Sequence, residues 1–77
     1  MTEKKQITIY DLLPLLRPGY VAMNEIHHWL YCYNGPMYHS GFDWYPEYAE
    51  DETLDLTNMF NIAPFDGDWK DSLMEVK

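Results

Sequence analysis

From Pro18 to Trp69 the sequence has neither lysine nor arginine, and over that stretch it carries nine acids: Glu25, Asp43, Glu47, Glu50, Asp51, Glu52, Asp55, Asp66 and Asp68. Lys4, Lys5, Arg17, Lys70 and Lys77 lie outside it, so the ends come close to neutral and the middle holds the net charge of −8. A one-signed block repels nucleic acid and membrane surfaces and attracts basic ones. Cys32 is the one cysteine, which excludes an intramolecular disulfide framework. Small secreted folds usually rely on such staples, so the expected compartment is the cytoplasm. No apolar run approaches the roughly 18 residues of a membrane span. The opening MTEKKQITIY lacks the apolar stretch of a signal peptide. There is no phosphate-binding loop, no Gly-rich dinucleotide motif and no internal repeat.

What is present is aromatic. Phe, Trp and Tyr make up 17% of the 77 residues and hydrophobic residues 47%, which argues against disorder. The length suits a single domain, 1–77, and a domain this small has a thin stability margin. Its rings exceed what so small a core needs, so some are expected at the surface, singly, as a patch, or covered in a homodimer.

Residues 1–7 read as a polar lead into a short arm. Thr8 looks like a helix N-cap with Asp11 completing a partial capping box. Ile9, Leu12, Leu13 and Leu16 follow with helical spacing. Pro14 is awkward inside that helix, and Arg17-Pro18-Gly19 stops it. Tyr20–Met23 and His28–Tyr33 read as strands. Asn34-Gly35, suited to a type I′ turn, predicts a hairpin into a strand Met37–Ser40, with Phe42–Tyr45 extending the meander. Pro46–Glu52 reads as an acidic connector, about Leu54 to Phe60 as a second helix, Asp66-Gly67 as a turn and Trp69–Val76 as a terminal strand. The expected fold class is α+β: a small antiparallel sheet of three to five strands with two short helices packed on one face. The candidate core is Leu12, Leu13, Leu16, Val21, Met23, Trp29, Tyr31, Leu56, Met59, Phe60, Ile62 and Leu73.

The segments ITIYDLLPLLRPGYVAM (7–23) and FNIAPFDGDWKDSLMEVK (60–77) together resemble a group of small proteins from phages and prophages of gut bacteria. In that group a Leu-rich helix ends in a Pro-Gly turn, an aromatic β region follows, and a Trp-Lys-containing tail closes the chain. The resemblance implies a mobile-element accessory protein acting in a bacterial cytoplasm, and carries no catalytic residues with it. Small acidic phage proteins include anti-CRISPR inhibitors, an analogy of size and charge.

Four constellations bear on chemistry. Glu47, Glu50, Asp51, Glu52 and Asp55 crowd together beside Trp44, Tyr45 and Tyr48. Carboxylates spaced like backbone phosphates suit a groove lined with Lys and Arg, and neighbouring rings suit interface anchors. The competing reading is a solvated acidic loop. His27, His28, Cys32 and His39 are zinc-type ligands, but no Cys-x-x-Cys pair accompanies them, so ordinary strand and turn residues are expected and no metal or cofactor. A Cys32–His thiolate pair is the third, set against an inert buried thiol. The rings at Trp29, Tyr31, Tyr33, Tyr38, Trp44, Tyr45 and Tyr48 are the fourth, and with this sign of charge they do not suit stacking on single-stranded nucleic acid. The reading is a non-enzymatic protein that binds the basic surface of a bacterial nucleic-acid-handling protein. A homo-oligomeric structural or assembly accessory of a phage is the alternative, and a zinc-dependent module ranks third.

Overall fold

A computed structural model describes residues 6–33, 35–48 and 51–77. Residues 1–5 of the predicted polar lead at 1–7, Asn34 and Glu50 lie outside the described residues. Thr8 is extended and caps helix α1, Ile9–Leu12. The Asp11 carboxylate reaches back, accepting from the Thr8 backbone N–H at 2.9 Å and from its hydroxyl at 3.2 Å. Pro14 has no N–H and its ring crowds the preceding turn, so the chain tightens after α1 into a 3-10 turn over Leu13–Leu15.

Six strands follow in chain order: β1 Gly19–Met23, β2 Trp29–Cys32, β3 Met37–Ser40, β4 Asp43–Pro46, β5 Leu54–Asp55 and β6 Met74–Val76. Four form an antiparallel sheet in the order β5-β2-β1-β6, and β3 and β4 form a separate two-stranded hairpin. Alternation along β1 and β2 divides the apolar residues between two faces. One face holds Val21, Met23, Trp29 and Tyr31 under α1, with Ile9, Leu12, Leu56, Ile62 and Val76 completing that core. The other holds Ala22, Leu30 and Cys32 beneath Met37 and Trp44 of the hairpin. The protein is thus α+β and mostly sheet, with its helix on one face and the β3–β4 hairpin on the other. Among the described residues, no helix is long and apolar enough to cross a membrane.

Three expectations are corrected. The Asn34-Gly35 signal does not join β2 to β3, because β2 is already flanked by β1 and β5. Instead β3 folds onto β4 about Gly41, whose φ of +62° costs a glycine little. The second helix from Leu54 is absent. Leu54 and Asp55 pair with Tyr31 and Leu30 of β2, and Asp55 Oδ1 then accepts from the Thr57 and Asn58 N–H groups. That side-chain turn competes with a helix start. Only its last turn survives, in the bonds from the Met59 and Phe60 N–H groups to the Leu56 carbonyl at 3.0 and 2.9 Å. The terminal strand is shorter than expected: Asp68 caps a 3-10 turn at Trp69–Asp71, and β6 begins only at Met74. Met59, Phe60 and Leu73, assigned to the core by helical or strand spacing, are consequently exposed.

Met23 is where the layers are tied together. Its N–H donates to Ser72 Oγ at 2.7 Å. Its carbonyl accepts from Trp44 Nε1 at 2.9 Å, and its sulfur accepts from the Phe65 N–H at 3.1 Å. Ser72 is fully buried, and its single proton lies between the carbonyls of Trp69 (2.6 Å) and Met23 (3.1 Å). The hydroxyl continues the β1 ladder past the end of β6. Ser72→Ala leaves the Met23 N–H buried without a partner, so a loss of about 1–3 kcal/mol is expected. Urea denaturation will read this as a lower midpoint with an unchanged slope. On the same face Tyr31 donates its hydroxyl to the Arg17 carbonyl at 2.7 Å, and burial raises its phenol above the ordinary tyrosine value, with nearby Arg17 opposing the shift.

Candidate partner-binding face

The outer side of the hairpin follows from strand alternation. Met37 and Trp44 point at the sheet, so Tyr38 and Ser40 on β3 and Asp43 and Tyr45 on β4 face away from it. Tyr38 lies directly across from Tyr45, and their rings stand 6.0 Å apart with a 39° tilt. Both stay open to solvent, at 50% and 44%. The Glu47 N–H donates to the Pro36 carbonyl at 2.8 Å, which carries the ladder one residue further and sets exposed Glu47 on the side of Tyr45.

Beyond Glu47 the chain turns, with the Asp51 N–H donating to the Tyr48 carbonyl at 3.0 Å. Tyr48 is exposed at its edge but leans on Gly35, where an added Cβ would fall 2.6 Å from two of its ring carbons and 3.3 Å from Asp51 Oδ2. The same Asp51 oxygen lies 3.9 Å from Cys32 Sγ. Gly35 is therefore the platform that seats Tyr48 and Asp51. Gly35→Ala should push the exposed ring of Tyr48 aside rather than split the backbone. The expected result is a changed set of Tyr48 ring resonances with a stability change under about 1 kcal/mol.

The structure sorts the sequence candidates. Tyr45, Glu47, Tyr48, Asp51 and Glu52 form a strip along the chain, in which Asp51 is half-buried and the other four are exposed. Trp44 does not belong to it. The indole is 4% exposed and donates to the Met23 carbonyl, so the expected surface anchor is a core residue, turned inward by the strand register. Asp55 is also committed elsewhere: it pairs with His28 Nδ1 at 2.8 Å besides closing its own turn. Tyr38 joins the strip through a register that depends on Gly41, a signal the sequence contains only once the β3–β4 pairing is known.

The histidines disperse. His28 goes to Asp55, and His39 packs edge-on between Trp44 (5.1 Å) and Trp69 (5.8 Å). His27 occupies the β1–β2 loop at φ +66°. Cys32 is buried beside Asp51. Among the described residues no three of His, Cys, Asp and Glu gather into a metal-holding group. Compared with known protein families, characterised proteins and solved structures, the chain matches none.

Proposed function

We propose that this is a non-enzymatic phage or prophage protein that acts in the bacterial cytoplasm. On this reading it occupies the Lys- and Arg-lined groove of a nucleic-acid-handling protein as an anti-defence inhibitor of the anti-CRISPR kind. The observation that carries the reading is the solvent-exposed Tyr38–Tyr45 pair running directly into Glu47, in a stretch without lysine or arginine. Rigid rings supply contact area at little entropic cost, and the carboxylates of Glu47, Asp51 and Glu52 steer a cationic partner and stand in for its phosphates.

The double variant Glu47→Lys/Glu52→Lys tests it. Both side chains are exposed, so the fold should be kept. Wild-type protein is expected to retain a nucleic-acid-binding protein from bacterial lysate at about 50 mM salt and to release it near 0.5 M, where screening shortens the reach of charge severalfold. Competing duplex DNA should displace it. The double variant should retain none, and equal retention at low salt would remove the strip from the interface. The same tyrosine pair also suits a second copy of the chain. Light scattering separates the readings, since a tight dimer that depends on Tyr38 and Tyr45 and has no other partner favours the assembly accessory.

A further inference from the structure

On the α1 side of the sheet, remote in register from the tyrosine strip, lies a cavity of about 390 Å³. Thr8, Tyr10, Ala63, Pro64, Phe65 and Asp66 line it, and Ile9 and Trp29, both buried, close its floor. Its volume falls in the range of small-ligand sites, at about 300–1,000 Å³. The walls are built rather than incidental. Trp29 Nε1 donates to the Ala63 carbonyl at 3.0 Å, and the Phe65 ring meets the indole edge-to-face at 6.2 Å and 82°. From behind, Gly67 lets the chain turn close against Phe65: a Cβ there would sit 3.0 Å from the ring.

The hydrogen-bond inventory of these walls decides the sign of the occupant. The indole N–H is spent on Ala63, and the Thr8 N–H and hydroxyl are spent on Asp11. The Ala63 N–H is spent on the Ile7 carbonyl. The Asp66 carboxylate, by contrast, has no partner among the described residues, and it is the one charged side chain in the lining. An anion would meet the repelling charge of Asp66, with the first amides of a four-residue helix, at Ile9 and Tyr10, as its main backbone donors. A cation would find a carboxylate beside the rings of Tyr10 and Phe65, whose faces attract quaternary and primary ammonium groups.

We propose that this cavity binds an alkylammonium group on a short apolar stem. The carboxylate of Asp66 takes the charge, and Tyr10, Phe65 and Pro64 take the methyl or methylene groups. The site is independent of the tyrosine strip, and its occupancy does not require the inhibitory function proposed above.

The test is a titration of the isotope-labelled protein followed by NMR. The probes are choline, n-butylammonium and a doubly blocked lysine, with 3,3-dimethylbutan-1-ol as the neutral isostere of choline. Saturable shifts confined to Tyr10, Phe65 and the Trp29 indole are expected for the cations, and at least severalfold weaker binding for the alcohol. The blocked lysine separates a side chain presented by a protein from a free amine, since binding of choline and butylammonium without it assigns the site to free amines. Asp66→Asn should weaken choline about threefold, within the range of a solvent-accessible charge contact, and Tyr10→Ala should weaken it independently. Both side chains are exposed, so the fold is retained. Absence of saturable shifts with every cation overturns the proposal, as does equal binding of the alcohol or indifference to both substitutions.

Discussion

Trp29→Ala is expected to leave the chain largely unfolded near 37 °C. Trp29 is fully buried at the centre of the larger core, flanked by Val21, Met23, Tyr31 and Leu56. Truncating it removes the indole from the Phe65 edge and breaks the 3.0 Å bond to Ala63 that tethers residues 62–65 beneath α1. Aromatic truncations in cores cost about 3–5 kcal/mol. Total stability for a chain of 77 residues is about 4–12 kcal/mol at the usual 0.05–0.15 kcal/mol per residue. A domain this small sits toward the low end of that range, where the loss equals or exceeds the margin. Trp29→Phe is the control that separates packing from the hydrogen bond. It keeps a ring in the same space and forfeits the indole donor, for about 1 kcal/mol of the bond itself plus whatever cavity the smaller ring leaves. Circular dichroism on heating should show a broad or absent transition for the Ala variant and a cooperative, lower one for Phe. A Trp29→Ala protein that melts within a few degrees of wild type would show that the core is held elsewhere.

What could be read in the sequence was local. The Thr8–Asp11 capping contact spans three residues, and the hydrogen bonds that realise it are confined to that turn. Pro14 tightens the chain after α1 as its chemistry dictates, and the β1–β2 pairing joins two aromatic-bearing stretches close in sequence. The losses came where a distant partner decided the outcome. Leu56, Met59 and Phe60 carry a helical spacing, yet Leu54 and Asp55 pair with β2, and Leu56 is buried beside that strand rather than through a helix face. Asn34-Gly35 is a strong hairpin signal in isolation. It does not pair β2 with β3, because one edge of β2 is taken by the preceding β1 and the other by the distant β5. The candidate strip was legible as composition, but its membership was not. Whether Trp44 or Tyr45 faces outward is a matter of register, and alternation can be read from the sequence without revealing which parity meets the core. Asp55 was counted among the free acids because no local rule ties residue 55 to His28 across 27 positions.

Trp44→Ala separates the two parts of the molecule. The indole packs with Ala22, Leu30, Cys32 and Met37, and with Met37 it forms the hairpin's half of the smaller core. A two-stranded hairpin is marginal by itself in water, so β3–β4 depends on this contact for its order. Removing the ring should again cost about 3–5 kcal/mol, but the effect should fall unevenly. The Met23 carbonyl that loses Trp44 Nε1 still has Ser72 Oγ within 3.1 Å. The helix-side core contains none of the hairpin's residues. Amide exchange at residues 37–46 should therefore accelerate more than at 19–23 and 29–32. Binding to the proposed basic partner should fall with the hairpin, because Tyr38 and Tyr45 lose the pairing that aligns their rings. Tyr45→Ala provides the contrast. Its ring is 44% exposed and outside both cores, so affinity should drop with little change in stability. If Trp44→Ala lowered affinity while leaving exchange across the hairpin untouched, the indole would be a direct contact, and its burial against the sheet would not describe the bound form.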